Sequence, residues 1–150
     1  IFGLFKMPYF YTENKIKTNQ ITVHISDSAA KILVVDDEPN IIVALEYLLQ
    51  REGYEVFKAY NGQDALDMLV SLVPDVVVLD VMMPGMDGFE VARRIRQMPA
   101  LELAKIIFLT AKGTQRDKES GYASGAEYYM IKPFENEVFV STVNEIMAYG

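Results

Sequence analysis

The sequence predicts an α/β fold over residues 31–150: a (βα)5 doubly wound, parallel five-stranded sheet. Three observations predict it. From Lys31 onward, short β-branched apolar runs alternate with longer stretches of helical periodicity. The runs are apolar throughout rather than alternating, which marks strands buried on both faces. Such strands belong to a parallel sheet whose right-handed crossovers lay helices on both sides.

The elements follow in order. Lys31–Val35 is too short for a helix and reads as the first strand. Pro39 suits the first turn of a helix, and Ile41, Leu45, Leu48 and Leu49 share one helical face until Gly53 stops it. Tyr54–Ala59 reads as the second strand. Asn61-Gly62 turns the chain, and Ala65, Leu66, Leu69 and Val70 stripe a second helix. Pro74 ends that unit, and Val76–Leu79 is the third strand. A loop over 81–88, with Pro84, Gly85 and Gly88, leads to a third helix marked by Phe89, Ala92 and Ile95. Lys105–Thr110 is the fourth strand, and Thr114–Ser124 a polar fourth helix interrupted by Gly121. Glu127–Ile131 is the fifth strand; beyond Pro133, Phe139, Val143, Ile146 and Met147 stripe the last helix.

Residues 1–30 stand apart. They carry a net charge of +1 against −8 for the remainder, and show no clear periodicity beyond a candidate edge strand at Gln20–Ile25. They read as an N-terminal extension of unknown role. A start at Ile1 rather than Met fits processing or a fragment.

Composition excludes whole classes of function. The 150 residues are 51% hydrophobic and 23% charged, as in ordinary globular proteins. A net charge of −7 argues against a sequence-independent grip on nucleic acid or on anionic lipid. The chain has no Cys, so thiolate metal sites and thiol nucleophiles are excluded, and a single His24 excludes a multi-histidine centre. No apolar run approaches the ~20 residues of a membrane span, and no secretory signal is visible, so the expected address is cytoplasmic.

In open parallel sheets the working crevice lies at the carboxyl ends of the strands. Those ends carry Asp36, Asp37 and Glu38 after the first strand, Asp80 after the third, Thr110 after the fourth and Lys132 after the fifth. Carboxylates this close repel and demand a counter-charge. An all-oxygen site without His or Cys suits a hard divalent cation such as Mg²⁺. Lys132 supplies further positive charge, and Thr110 a hydroxyl for an oxyanion. Such a site stabilises phosphoryl transfer onto a carboxylate. Asp80, alone at its strand end, is the natural nucleophile, and Asp36-Asp37 the natural metal anchor. A phosphatase of the haloacid-dehalogenase type would need a second Asp two residues after the nucleophile, where Met82 stands. A dinucleotide-binding domain would need a Gly-rich turn after the first strand.

The segments KILVVDDEPNI (31–41), VVVLDVMMPGMDGFEV (76–91), FLTAKG (108–113) and GAEYYMIKPF (125–134) resemble a response-regulator receiver domain, over about residues 31–148. The resemblance implies the flavodoxin-like strand order 2-1-3-4-5. It implies that Asp80 is the phosphoacceptor, served by a histidine kinase or a histidine phosphotransfer protein. Asp37 would be a direct Mg²⁺ ligand and Asp36 a ligand through water, joined by Asp80 and the backbone carbonyl of Met82. Lys132, ahead of a cis bond to Pro133, would contact the phosphoryl group. Thr110 would be the switch hydroxyl and Tyr129 the switch aromatic, entering space that Thr110 vacates and reshaping the face of helix 4, strand 5 and helix 5. Such a protein is a signalling domain, not a classical enzyme. With nothing after Gly150, it is expected to act alone on an unknown output protein, or else to be a receiver cut from a longer regulator or hybrid histidine kinase.

Other features have plainer readings. Arg93, Arg94 and Arg96 read as a solvated helical face, and His24 as incidental. Tyr128 and Tyr129 should point to opposite sides of their strand. Met82 and Lys112 are placed to influence phosphate lifetime. The last helix carries Glu135, Glu137 and Glu145 without Lys or Arg, so a monomer or weak dimer is expected.

Overall fold

A computed structural model describes residues 28–149. The candidate strand at Gln20–Ile25 and His24 lie outside the described residues. Five strands alternate with five helices: β1 (Lys31–Val35), α1 (Pro39–Arg51), β2 (Glu55–Ala59), α2 (Gly62–Met68), β3 (Val76–Leu79), α3 (Gly88–Arg96), β4 (Lys105–Thr110), α4 (Gln115–Ala123), β5 (Tyr128–Ile131) and α5 (Asn136–Tyr149). A single 3-10 turn, Pro99–Leu101, links α3 to β4. The sheet is wholly parallel in the order β2-β1-β3-β4-β5.

The alternation of side chains along each strand splits the core in two. Leu33, Val35, Val77, Leu79, Ile106, Phe108 and Tyr129 face one side, against Ala65 and Leu66 of α2 and Val91, Ala92 and Ile95 of α3. Ile32, Val34, Val76, Val78, Ile107, Leu109 and Met130 face the other, against Ile42, Leu45 and Leu49 of α1 and Phe139 and Val143 of α5. Both faces are dry, which is why β1, β3 and β4 contain almost no polar residue. β2 lies at the edge and tolerates Glu55 and Lys58, the latter paired with Glu46 of α1 at 2.9 Å.

Element boundaries shift slightly from the sequence reading: α3 begins at Gly88, inside the expected loop, α4 spans Gln115–Ala123 with Thr114 and Ser124 as its caps, and three further shifts have visible causes. β2 begins at Glu55, because the amide of Tyr54 donates to Leu49 and closes α1. β5 begins at Tyr128, although the amide of Glu127 already donates to Ile106. α2 stops at Met68, so Val70 falls past the helix and is 83% exposed rather than part of its stripe. Tight turns at Val70, Ser71 and Leu72, whose amides bond Asp67 and Met68, replace the last helical turn.

Candidate functional site

The ladder hydrogen bonds run past the strand ends and carry the site. The amide of Asp36 donates to Ala59, that of Asp80 to Val35, and that of Lys132 to Thr110. Asp36, Asp80, Thr110 and Lys132 are thereby fixed on one edge of the sheet. That edge includes β1 and β3, where the strand order reverses and open parallel sheets place their crevice. Gly88, at the start of α3, has to be glycine here. A Cβ would overlap the Asp80 carbonyl oxygen, so only a bare backbone lets α3 begin against the loop after β3.

Asp36 is 2% exposed, Asp80 4% and Thr110 fully buried. Carboxylate oxygens of Asp36, Glu38 and Asp80 lie within 4.8 Å of one another. Among the described residues, one cation answers them. The Lys132 ammonium stands 2.8 Å from Asp36, 3.5 Å from Asp80 and 3.7 Å from Glu38. Each buried carboxylate also accepts a backbone amide, Asp36 from Glu38 at 2.9 Å and Asp80 from Met82 at 3.1 Å. Burial pushes the Asp36 carboxyl above its ordinary range; the hydrogen bonds from Lys132 and Glu38 pull it down, and the neighbouring Asp80 adds to the rise. Burial works against the Lys132 ammonium, but its bond to Asp36 and the charges of Asp80, Asp36 and Glu38 outweigh this, and its pKa is raised. Three carboxylates against one ammonium leave the pocket two negative charges in excess. That donor set, all oxygen and undercompensated, fits a hard divalent cation.

The sequence-predicted residues fall into two groups. Asp36, Asp80, Thr110 and Lys132 come together, and the Lys132–Pro133 bond is cis. Asp37 lies on the same loop, exposed, and its carboxylate is not among the three that converge; Glu38 is. Met82 brings its amide to Asp80, while its side chain is 53% exposed.

Thr110 and Tyr129, the residues expected to form the switch, are linked through Lys112 beside this pocket. Thr110 Oγ1 accepts the Lys112 amide at 3.3 Å, and the Tyr129 hydroxyl donates to the Lys112 carbonyl at 2.7 Å. Tyr129 is 6% exposed and Tyr128 41%, one in and one out. Burial, with Asp117 and Asp80 adding to it, pushes the Tyr129 phenol up to about 12. The Tyr129 ring is seated inward, and both it and Thr110 are bonded to Lys112. Lys112 Nζ reaches toward Asp117 at 3.7 Å, and Asp117 closes a capping box with Thr114 at the start of α4.

Arg96 corrects the reading of a solvated arginine face. Arg93 and Arg94 do lie in solvent, paired with Glu90. Arg96 instead folds over the α4–β5 turn, donating to the Gly125 carbonyl at 3.0 and 2.9 Å, to Ala104 at 2.8 Å and to Glu127 at 3.1 Å.

A doubly wound parallel sheet that sets two buried aspartates and a half-buried lysine at its strand-order reversal holds an acidic pocket with one counter-charge among the described residues. The chain belongs to the response regulator receiver domain family, whose model matches residues 32–144. The chemotaxis protein CheY4 of Vibrio cholerae is similar at 34% identity and a TM-score of 0.76, with 79% of this chain covering 99% of that one. The response regulator TrrA of Thermotoga maritima, solved in complex with Mg²⁺-BeF, is 44% identical at a TM-score of 0.70, covering 78% of this chain and 98% of that one. The signal receiver domain of a histidine kinase from Syntrophus aciditrophicus is 32% identical at a TM-score of 0.74, over 80% and 91%. The chain is therefore a phosphoacceptor of two-component signalling and not a classical enzyme. Among the described residues no helix is long and apolar enough to cross a membrane.

Proposed function

We propose that Asp80 is the residue that carries the phosphoryl group, transferred from a phosphohistidine of a histidine kinase or phosphotransfer protein. The observation behind this reading is the buried Asp80 carboxylate facing Lys132 inside a pocket with two uncompensated negative charges. Asp80 Oδ forms the new P–O bond as the donor's P–N bond breaks, and the imidazole leaves with the bonding electrons. Lys132 stays within reach of Asp80 and neutralises charge on the incoming oxygens.

Mg²⁺ is the cation the pocket fits. Asp37, Asp80 and the Met82 carbonyl are its expected direct ligands and Asp36 its ligand through water, while Glu38, whose carboxylate lies within 4.8 Å of those of Asp36 and Asp80, adds charge at the rim. When bound it supplies charge neutralisation for the transferring phosphoryl oxygens.

The switch then follows from hydrogen bonding. Phosphorylation adds nearly two negative charges and strong acceptor oxygens beside Thr110. Thr110 turns its hydroxyl to donate to one of them, so its oxygen leaves the Lys112 amide, and the space it vacates favours the inward ring of Tyr129, the switch aromatic. The 110–114 loop relaxes, and α4, polar and with Gly121 as its one buried residue, shifts with it. The α4–β5–α5 face so altered binds an output protein whose identity the chain does not reveal. With an acidic α5, the domain works as a monomer or weak dimer in the cytoplasm, without direct contact to nucleic acid or membrane. The likeness to the receiver of a histidine kinase favours a second reading, in which the domain governs an attached partner.

The test is Mg²⁺ with beryllofluoride, a phosphoryl analogue, followed by amide NMR. Resonances from Thr110 to Ser124 shift in the wild type and stay in place in Asp80→Asn. An unshifted wild-type spectrum would overturn the proposal.

A further inference from the structure

We propose that Gly121 is the positioning residue for the switch aromatic: its missing side chain is the floor of the seat that Tyr129 occupies. Gly121 is buried inside α4, where glycine costs helix stability relative to alanine. No backbone strain explains it, since its φ is ordinary for a helix. Space does. A Cβ at position 121 would meet Tyr129 Cδ2 at 2.5 Å and Cε2 at 2.7 Å, and Phe108 Cδ2 at 3.3 Å.

These two neighbours differ in what they can yield. Phe108 is fully buried, packed edge-on to Phe89 at 5.4 Å and tilted against Tyr129 at 5.7 Å. Tyr129 sits at the rim of the core with the exposed Tyr122 ring 6.4 Å away. The group that gives way to a methyl is therefore Tyr129, by rotating out. Rotation breaks its bond to the Lys112 carbonyl, and with it the link from β5 to the loop that holds Thr110. Side-chain size at 121 thus sets how readily the ring adopts the inward state. By linkage it also sets how tightly the domain holds a phosphoryl group that favours that state. The inference rests on the switch described under Proposed function.

The test compares Gly121→Ala, Tyr129→Ala and the double variant in the full chain. With Tyr129 present, Gly121→Ala lowers the thermal midpoint; with Tyr129 already truncated, the same change raises it, because only helix propensity remains. A fluorotyrosine label at Tyr129, assigned with Tyr129→Phe, moves toward a solvent-exposed shift in Gly121→Ala. Beryllofluoride affinity in Mg²⁺ falls about fivefold or more, the low end of ordinary coupling between sites. Should Gly121→Ala fail to fold, recovery of folding in the double variant supports the proposal, and no recovery overturns it by placing the clash elsewhere. A rise in midpoint in both backgrounds with an unmoved label also overturns it. If the wild type itself takes up no beryllofluoride, the fault lies with the receiver switch. If the wild type binds it and Gly121→Ala binds equally well, the fault lies with Gly121.

Discussion

Replacing Lys132 with methionine removes the single cation of the acidic pocket while keeping most of its volume. The ammonium lies 2.8 Å from Asp36, 3.5 Å from Asp80 and 3.7 Å from Glu38, on a side chain only 14% exposed. Breaking a buried ion pair by deleting one partner costs about 3–5 kcal/mol. Glu38 is 64% exposed and water screens part of the pocket, so about 2–3 kcal/mol is the expected loss near pH 7 without divalent cation. With an unfolding entropy of about 2.1 cal/mol/K per residue over roughly 120 described residues, the midpoint falls by about 8–12 °C. The loss depends on pH. Asp36 already has a raised pKa in the folded state, and removing Lys132 raises it further. A carboxyl with a raised folded pKa favours folding fully below its unfolded value of 3.8 and loses that contribution as pH rises through the folded value. The penalty of the variant therefore grows from acid toward neutral pH. The contribution of Lys132, whose pKa is raised above 10.5, is constant there and fades only at higher pH. Thermal unfolding of wild type and Lys132→Met at several pH values between about 4.5 and 8 measures this. A variant as stable as wild type at neutral pH, or a penalty independent of pH, would refute the reasoning.

Other consequences are equally open to measurement. Arg96→Met keeps the aliphatic stem over Gly125 but removes charge-assisted bonds to Gly125, Ala104 and Glu127, for a loss of about 2 kcal/mol by urea unfolding. Arg93→Met, which touches only Glu90 in solvent, changes stability by less than about 0.5 kcal/mol. The Asp117 carboxyl is held below its usual range, first by its hydrogen bonds with Thr114 and then by Lys112. The support it gives α4 is complete above pH 3.8 and disappears as pH falls through the lower folded value, so α4 amides exchange faster there while α1 amides stay protected.

The fold was legible because its three central strands are nearly pure: runs such as Val76–Leu79 admit few other structures. The site was legible because its groups sit one or two residues past a strand end, where a parallel sheet must gather them. What escaped the sequence depends on contacts that spacing does not encode. The approach of the Glu38 carboxylate to those of Asp36 and Asp80 comes from how the loop after β1 folds. Arg96 looks like its neighbours on α3, yet its partners lie 8, 29 and 31 residues further along the chain. Val70 continues an apolar stripe whose helix ends two residues earlier. The inward ring of Tyr129 is allowed by an atom that Gly121, eight residues before it, does not have.

The most direct test of the account is intact-mass measurement after incubation with a small-molecule phosphodonor and Mg²⁺. Wild-type protein should gain one phosphoryl group, lost again at alkaline pH as an acyl phosphate, and Asp80→Asn or chelation of the metal should prevent the gain. A phosphoryl group on the Asp80→Asn chain, or none on the wild type, would contradict the account.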